Sequence, residues 1–212
     1  ASPIGDLGDL ECQVIAEHKD SAIWVVAAGN EGPDPYTIGS PAASPHAVTV
    51  GAYSTVYDGI AYFSSRGPSA AWYRDNPASW AADYAKYGDS LLKPDCVAPG
   101  GGPVVKGAKG DMIYSGLTGW TNGMNDRDPV SPWDGMRGSS MASPHAAGII
   151  ALAVEHGFVR TGADVREALK TGKRRKDAAS GWGMITYDQL ATPAHLQSKK
   201  QRGTVYRRTD VV

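Results

Sequence analysis

Gly138–His145 reads Gly-Ser-Ser-Met-Ala-Ser-Pro-His and runs straight into a segment that is apolar at nearly every later position. The pattern predicts a helix over Ser140–Glu155, stopped by Gly157. Ser140 then lies at the helix N-terminus, where unpaired backbone N–H groups and the helix dipole stabilise negative charge. A hydroxyl at such a place suits a nucleophile for acyl transfer, because donors for an oxyanion lie beside it. The alternative is a serine that only caps the helix.

The composition indicates one globular domain. The chain has 212 residues, 42% of them hydrophobic, which is enough for a single core. Its net charge of -1 gives no basis for binding nucleic acid, and no segment resembles a base-reading module. No apolar run approaches the roughly 18–20 residues of a membrane span. Two cysteines, Cys12 and Cys96, are too few for a disulfide framework, and free buried thiols are favoured over a single bridge.

Alternating strand and helix patterns predict an α/β domain with a mostly parallel sheet. Ala22–Ala28 is continuously apolar and contains β-branched residues, which is typical of a strand buried on both faces in a sheet covered by helices. Gly29–Pro33 follows it as a turn. The other predicted elements are a strand at Ala47–Tyr53, a short strand within Lys93–Gly100, and helices at Leu10–Asp20 and Ala163–Lys170.

Three stretches are predicted to contain little regular structure. Ser69–Leu92 mixes aromatic and charged residues and is interpreted as a surface insertion, with a short helix near Trp80–Tyr87. Gly101–Arg137 is rich in loop residues. Residues 191–212 form a basic tail, whose Lys199–Arg208 run is interpreted as solvated.

Four separated segments together carry a family resemblance. They are Val25–Gly32, Ser44–Ala52 with Phe63–Pro68, Lys93–Gly100 and Gly138–Gly148. The first resembles the strand and turn that present the oxyanion-hole asparagine in subtilisin-like serine peptidases. The third resembles the family's Lys-Pro-Asp-x-x-Ala-Pro-Gly. The last resembles the nucleophile motif Gly-Thr-Ser-Met-Ala-x-Pro-His-x-Ala-Gly, with Ser139 in place of threonine. The segments also follow the family's order and approximate spacing.

The resemblance covers roughly residues 22–190 and implies a three-layer, subtilisin-like α/β fold with a mostly parallel sheet. It implies that residues 1–190 are the C-terminal part of a peptidase domain, here lacking its N-terminal strands. In that family an Asp and a His-Gly-Thr motif lie N-terminal to the asparagine strand. In this chain Asp6 and Asp9 are followed by no matching histidine. The resemblance therefore places the catalytic base and its carboxylate on another segment. We expect that segment to be covalently attached or associated, because the strand at Ala22–Ala28 would otherwise present an open edge.

The resemblance also assigns roles to single residues. Ser140 corresponds to the nucleophile, and Asn30 to the oxyanion donor through its side-chain amide, with the backbone N–H of Ser140 as the second donor. The residues resembling parts of the pocket for the side chain before the scissile bond are Ala27, Ala28, Gly29 and Gly39. A glycine in this pocket leaves room for a large apolar side chain, whereas Glu31 at its rim favours a basic one; both alternatives stay open.

None of the five histidines is predicted to be the catalytic base. His145 follows Ser140 by five residues on the same helix, so its side chain is not expected to aim at the nucleophile. In the family the corresponding histidine is structural. The others match no catalytic motif: His18, His46, His156 and His195.

Two functions agree with these observations. The first is a serine endopeptidase that acts on a protein or peptide substrate through an acyl-enzyme on Ser140. The second is a catalytically inactive subtilisin-like protein with a binding or regulatory role. A binding module needs no nucleophile paired with an oxyanion donor, which favours the first. An unrelated α/β hydrolase fits less well, because Gly138–Ala142 lacks the last glycine of Gly-x-Ser-x-Gly.

No cofactor is required for the predicted chemistry, but a structural calcium ion is compatible with the sequence. The family often holds calcium through backbone carbonyls near the loop that corresponds to Gly39–Ala47, and carbonyl oxygens are suitable ligands. A second candidate is the polar cluster Asn122, Asn125, Asp126 and Asp128. Its spacing fits no calcium loop, which favours a solvated loop instead. The resemblance also favours a secreted or extracytoplasmic location.

Overall fold

A mixed four-stranded sheet organises the chain. The computed structural model describes residues 7–116, 132–171 and 175–191. The strands of the sheet are β1 (Val25–Ala27), β2 (Val48–Ser54), β3 (Gly59–Ile60) and β4 (Cys96–Pro99). The central strand β2 pairs in parallel with β1 on one edge and with β4 on the other. The short β3 pairs antiparallel with the end of β2, on the same edge as β1. The predicted α/β architecture with a mostly parallel sheet is confirmed.

The helices connect and cover this sheet. They are α1 (Leu10–Glu17), α2 (Ala71–Asp75), α3 (Pro77–Tyr87), α4 (Ser139–Glu155), α5 (Gly162–Leu169) and α6 (Tyr187–Leu190). A separate antiparallel hairpin is formed by β5 (Ile113–Gly116) and β6 (Trp133–Met136). Asp9 caps α1 by accepting a hydrogen bond from the N–H of Cys12 at 2.8 Å. A reciprocal capping box, Thr161 with Asp164, begins α5.

The main core lies between α4 and one face of the sheet. Val48, Val50 and Ala52 alternate along β2 and are fully buried, as the two-residue period of a strand requires. They pack with the side of α4 that carries Ala146 and Ile150. Small residues on this side let the helix approach the sheet closely. The core is completed by Val165 and Leu169 of α5, Leu190 of α6, and Val159.

Both cysteines are free and buried, as expected from the sequence. Burial raises the pKa of the Cys12 thiol to about 12, and it also raises the pKa of the Cys96 thiol. These thiols therefore stay protonated at neutral pH and act as small apolar residues.

The strand predicted at Ala22–Ala28 is shorter and more exposed than expected. Only Val25–Ala27 is regular strand, and all three residues are half-buried, so the prediction of burial on both faces is wrong. The physical reason is that, within the described ranges, β1 pairs with β2 alone. An open cleft of about 410 Å³ lies between the β1 segment and α4. Its lining is largely apolar and includes Ile23, Val25, Ala147, Ile150 and Val154.

The insertion at residues 69–92 is mostly helical, which corrects the prediction of an irregular segment. Pro77 occupies the start of α3, where its missing N–H costs nothing. Tyr73 is buried and donates a hydrogen bond from its hydroxyl to Asp83 at 2.7 Å. Trp80 packs edge-on against Tyr73 and stacks on Tyr84. Only Tyr73 among these side chains is buried, and its contacts with Trp80 and Asp83 join α2 to α3.

Two further regions bear on the predictions. The stretch Gly101–Arg137, expected to be loop, contains the β5–β6 hairpin. The cluster at Asn122–Asp128 and the basic tail at Lys199–Arg208 lie outside the described residues. No helix that the structure describes is long and apolar enough to cross a bilayer.

Candidate active site

The first turn of α4 presents Ser140 at the surface. The helix begins at Ser139, so Ser140 is its second residue; Ser139 is buried and Ser140 is exposed. Backbone N–H groups in a first helical turn have no acceptor within the helix and carry the positive end of its dipole. The N–H of Gly138 donates to the carbonyl of Gly100 at 2.9 Å, directly after β4. The helix start is thereby anchored to the carboxyl end of the parallel sheet.

Asn30 reaches this helix start from the turn after β1. Its Oδ1 accepts hydrogen bonds from the backbone N–H of Ser139 at 2.9 Å and from the hydroxyl of Ser139 at 3.0 Å. Because a backbone N–H can only donate, the atom facing it must be the amide oxygen and not the nitrogen. The two N–H donors of the Asn30 amide therefore point away from Ser139. The structure brings together two segments that are 109 residues apart in the sequence.

Ser139 belongs to the candidate site by its contacts, and the sequence alone assigned it no role. Its side chain is 1% exposed, and its hydroxyl also accepts a hydrogen bond from the N–H of Gly29 at 3.2 Å. One hydroxyl thus joins the turn at Gly29–Asn30 to the start of α4. The available signal was its position directly before Ser140, where the family motif carries another small hydroxyl residue.

A second serine supports the Asn30 turn from the other side. Ser65 donates its N–H to the carbonyl of Gly29 at 3.0 Å, and its hydroxyl accepts from the N–H of Glu31 at 3.1 Å. Gly29 has a φ of +110°, and a Cβ there would lie 2.6 Å from Oγ of Ser65. Only glycine therefore fits this turn without displacing the support.

The four predicted pocket residues lie close to this turn but are not equally accessible. Ala28 is fully buried among Ile38 and other small apolar residues, whereas Ala27 and Gly29 are half-buried. The N–H of Gly39 donates to the carbonyl of Ala28 at 3.3 Å, which brings the two segments together. A Cβ placed on Gly39 would meet no heavy atom within 4 Å. Space for a ligand side chain is thus open at Gly39 and closed at Ala28.

No histidine in the described ranges is hydrogen-bonded to Ser140. His145 is exposed, and its Nδ1 lies 2.7 Å from the carbonyl oxygen of Met141 on the same helix. That nitrogen must carry the hydrogen, because a carbonyl only accepts. His156 pairs with the hydroxyl of Tyr187. The imidazole of His46 packs edge-on against Tyr87, and burial lowers its pKa, as does the nearby Arg166.

A largely apolar cleft of about 450 Å³ lies beside the nucleophile candidate. It separates the β5–β6 hairpin from the first turns of α4, and its lining includes Ile113, Tyr114, Met136, Met141 and Pro144. The cleft is large enough for an apolar side chain of a bound chain. Met141, the residue after Ser140, is part of its lining.

A buried charged cluster lies at the opposite end of the sheet, where β2 and β4 begin. The carboxylate of Asp95 contacts the ammonium groups of Lys93 and Lys176, each at 2.8 Å. Both Lys93 and Asp95 are fully buried. Across residues 7–116, 132–171 and 175–191, no group of three or more His, Cys, Asp or Glu side chains is placed to hold a metal ion.

Comparisons with known proteins identify the family of this chain. Residues 5–183 match the sequence model of the Subtilase family. Pyrolysin from Pyrococcus furiosus is 32% identical over 181 residues, which cover 72% of this chain and 10% of that protein. Serine protease AprX from Bacillus subtilis is 35% identical over 153 residues, which cover 69% of this chain and 29% of that protein. The chain therefore spans less than a third of the length of either relative.

Solved structures show the same fold. The S41 psychrophilic protease superposes with a TM-score of 0.54 at 26% identity, covering 84% of this chain and 53% of that chain. Sphericase superposes with a TM-score of 0.54 at 23% identity, covering 81% of this chain and 50% of that chain.

Proposed function

Because the chain belongs to the subtilase family, we propose that it is the nucleophile-bearing part of a serine endopeptidase. The observation that carries the proposal is the contact between Asn30 and Ser139. It holds an amide with free N–H donors beside the exposed serine that follows Ser139. The proposed substrate is a protein or peptide. An extracytoplasmic place of action is proposed on the family resemblance alone.

The proposed reaction begins when Oγ of Ser140 attacks the carbonyl carbon of a peptide bond. The hydroxyl proton passes to a base, and the carbonyl oxygen becomes an oxyanion. The amide of Asn30 and the backbone N–H of Ser140 donate hydrogen bonds to that oxyanion. When the intermediate collapses, the amine takes the proton from the base and leaves an ester on Ser140. Water then hydrolyses this acyl-enzyme by the same steps.

We propose that the base and its orienting carboxylate come from a segment outside this chain. Two observations support this. No described histidine bonds to Ser140, and among the strands that the structure describes β1 pairs with β2 alone, with a largely apolar cleft of about 410 Å³ between the β1 segment and α4. An additional strand on the other edge of β1 would satisfy its backbone groups. Intact mass and size-exclusion of the natural protein test this. A well-behaved monomer of 22.3 kDa with no co-purifying fragment would contradict it.

A fluorophosphonate probe separates the peptidase from an inactive binding protein of the same fold. The natural protein, with all its segments, is expected to be labelled on Ser140. Ser140→Ala should abolish the label, whereas the matched control Ser143→Ala, three residues along the same helix, should keep it. If the intact natural protein takes up no label, the inactive alternative is correct.

Removing the Asn30 amide tests the oxyanion role directly. Asn30→Ala should lower kcat by about 10²–10³, the loss measured for one oxyanion donor in a subtilisin, with little change in KM. A variant that keeps its full kcat would show that Asn30 does not contact the oxyanion.

A further inference from the structure

We propose that the loop at residues 39–47, where the family resemblance implies a calcium ion held by carbonyl oxygens, is closed in this chain by its own cationic side chains and takes no metal ion. Lys93 and Arg166 supply the positive charge in place of the ion. The proposal stands apart from the peptidase reaction, because the contacts that carry it, at His46 and Ala47, lie where β2 begins, at the end of the sheet away from Ser140.

The carbonyl oxygens of the loop already accept hydrogen bonds from these cations. The ammonium of Lys93 donates to the carbonyl of Ala47 at 2.9 Å. The Nη1 of Arg166 donates to the same carbonyl at 3.2 Å and to that of His46 at 3.1 Å. The hydroxyl of Thr49 donates a hydrogen bond to the carbonyl of Ala42 at 2.6 Å. The remaining loop carbonyls that accept backbone N–H groups are those of Gly39, Pro41 and Ser44.

Both oxygens of the nearby Asp95 carboxylate also accept hydrogen bonds. Oδ2 of Asp95 accepts from Lys93 at 2.8 Å and from the backbone N–H of Thr49 at 2.9 Å. Oδ1 accepts from Lys176 at 2.8 Å. Calcium requires about six to eight oxygens at about 2.3–2.6 Å. Here both carboxylate oxygens and the Ala47 carbonyl are taken by donors, so a metal could enter only by displacing buried cations.

The charge balance also opposes a metal ion. Three cationic side chains, Lys93, Lys176 and Arg166, surround the single carboxylate of Asp95. Adding a divalent cation to this cluster would place like charges within a buried region, where their repulsion is poorly screened. The structure instead supplies a tethered ammonium, whose local presence does not depend on the concentration of any ion in solution.

A crystal structure in the presence of terbium chloride, which replaces calcium and gives anomalous scattering, tests the proposal directly. We expect Nζ of Lys93 against the Ala47 carbonyl and no anomalous peak in the loop. A peak at coordination distance from the Ala47 oxygen would overturn the proposal, whatever other sites the protein has.

A stability measurement provides the second test. It uses the natural protein with Asp126→Ala and Asp128→Ala, which removes the other calcium candidate. In that background Lys93→Glu exchanges the internal cation for a carboxylate, and Lys93→Gln keeps the length without the charge. We expect calcium to raise the Tm of the Glu variant by several degrees more than that of the background. If Lys93→Glu does not fold in EDTA but folds in calcium, the proposal is equally supported. If calcium raises the Tm of the background and of Lys93→Gln by the same amount as that of Lys93→Glu, the side chain at residue 93 does not control metal entry and the proposal is wrong.

Discussion

The buried carboxylate of Asp95 is expected to be one of the most sensitive positions for stability. Asp95→Asn keeps the shape of the side chain and one acceptor oxygen but removes the negative charge. Lys93 would then be a fully buried ammonium whose only remaining polar neighbours are neutral acceptors and other cations. Burial already lowers the pKa of Lys93 to about 8 in the native protein, which shows how unfavourable its surroundings are for a charge.

The expected loss is large because one partner of a buried pair disappears while the other remains. Such changes cost about 3–5 kcal/mol. For a domain of about 150–250 residues, each kcal/mol lowers Tm by about 2–4 °C, so a decrease of about 6–20 °C is expected. Differential scanning calorimetry of the natural protein at pH 7 measures it.

The matched control is Asp75→Asn, which breaks the exposed pair with Arg74 at 3.0 Å. Because both of these side chains are well solvated, Tm should not change. If Asp95→Asn unfolds within 1–2 °C of the native protein, on the order of the effect of a surface change, the reasoning from burial and charge is refuted.

Three further predictions follow from other contacts. Burial lowers the pKa of Lys93 to about 8, below its ordinary value of 10.5, so the unfolded chain binds more protons between these values. The contribution of this group to stability should therefore rise as pH increases from 8 to 10.5 and level off below pH 8, where both states are protonated; urea unfolding across this window should lose that slope in Lys93→Met. Ser139→Ala removes one hydrogen bond to Asn30, worth about 0.5–1.5 kcal/mol, and should lower kcat by about 2- to 13-fold. Ser139→Thr keeps a hydroxyl and should keep the native kcat, and an unchanged kcat in Ser139→Ala would show that Ser139 does not position Asn30. Gly29→Ala places a Cβ 2.6 Å from Oγ of Ser65 at a φ of +110°, so unfolding should need about 1–3 kcal/mol less free energy; equal urea midpoints would contradict the steric argument.

The buried charged cluster of Asp95, Lys93 and Lys176 also predicts how stability changes in acid. Burial alone would raise the pKa of Asp95, but Lys176 and Lys93 hold it well below its usual range. The stability that this carboxylate contributes is therefore present above its unfolded value, near 3.8, and is lost as pH falls towards the lowered native value.

How well each element was predicted depended on how local its causes are. The apolar helix predicted from Ser140 to Glu155 is observed as α4, because its small and apolar residues are consistent with helix over many turns. The strand at Ala47–Tyr53 is observed one residue later as β2. The helices of the insertion were underestimated, because Tyr73 is buried only when α2 and α3 meet and Trp80 packs against it.

The burial of β1 was mispredicted for a related reason. Its apolar residues indicate a position inside a sheet, and a single sequence cannot show whether a neighbour exists on each edge. In the described structure β1 pairs with β2 on one edge, and an open cleft lies between its segment and α4. Sequence pattern records what a strand is suited to contact, and only the packed structure shows what it does contact.

At the candidate site the division is equally clear. The sequence by itself determined that a helix starts around Ser140 and that a tight turn carries Asn30, because helix starts and glycine turns depend on a few adjacent residues. Only the tertiary structure decided which way the Asn30 amide faces and that Ser139 joins the two segments. Those facts depend on hydrogen bonds across 109 residues, which form only after the sheet and α4 have packed together.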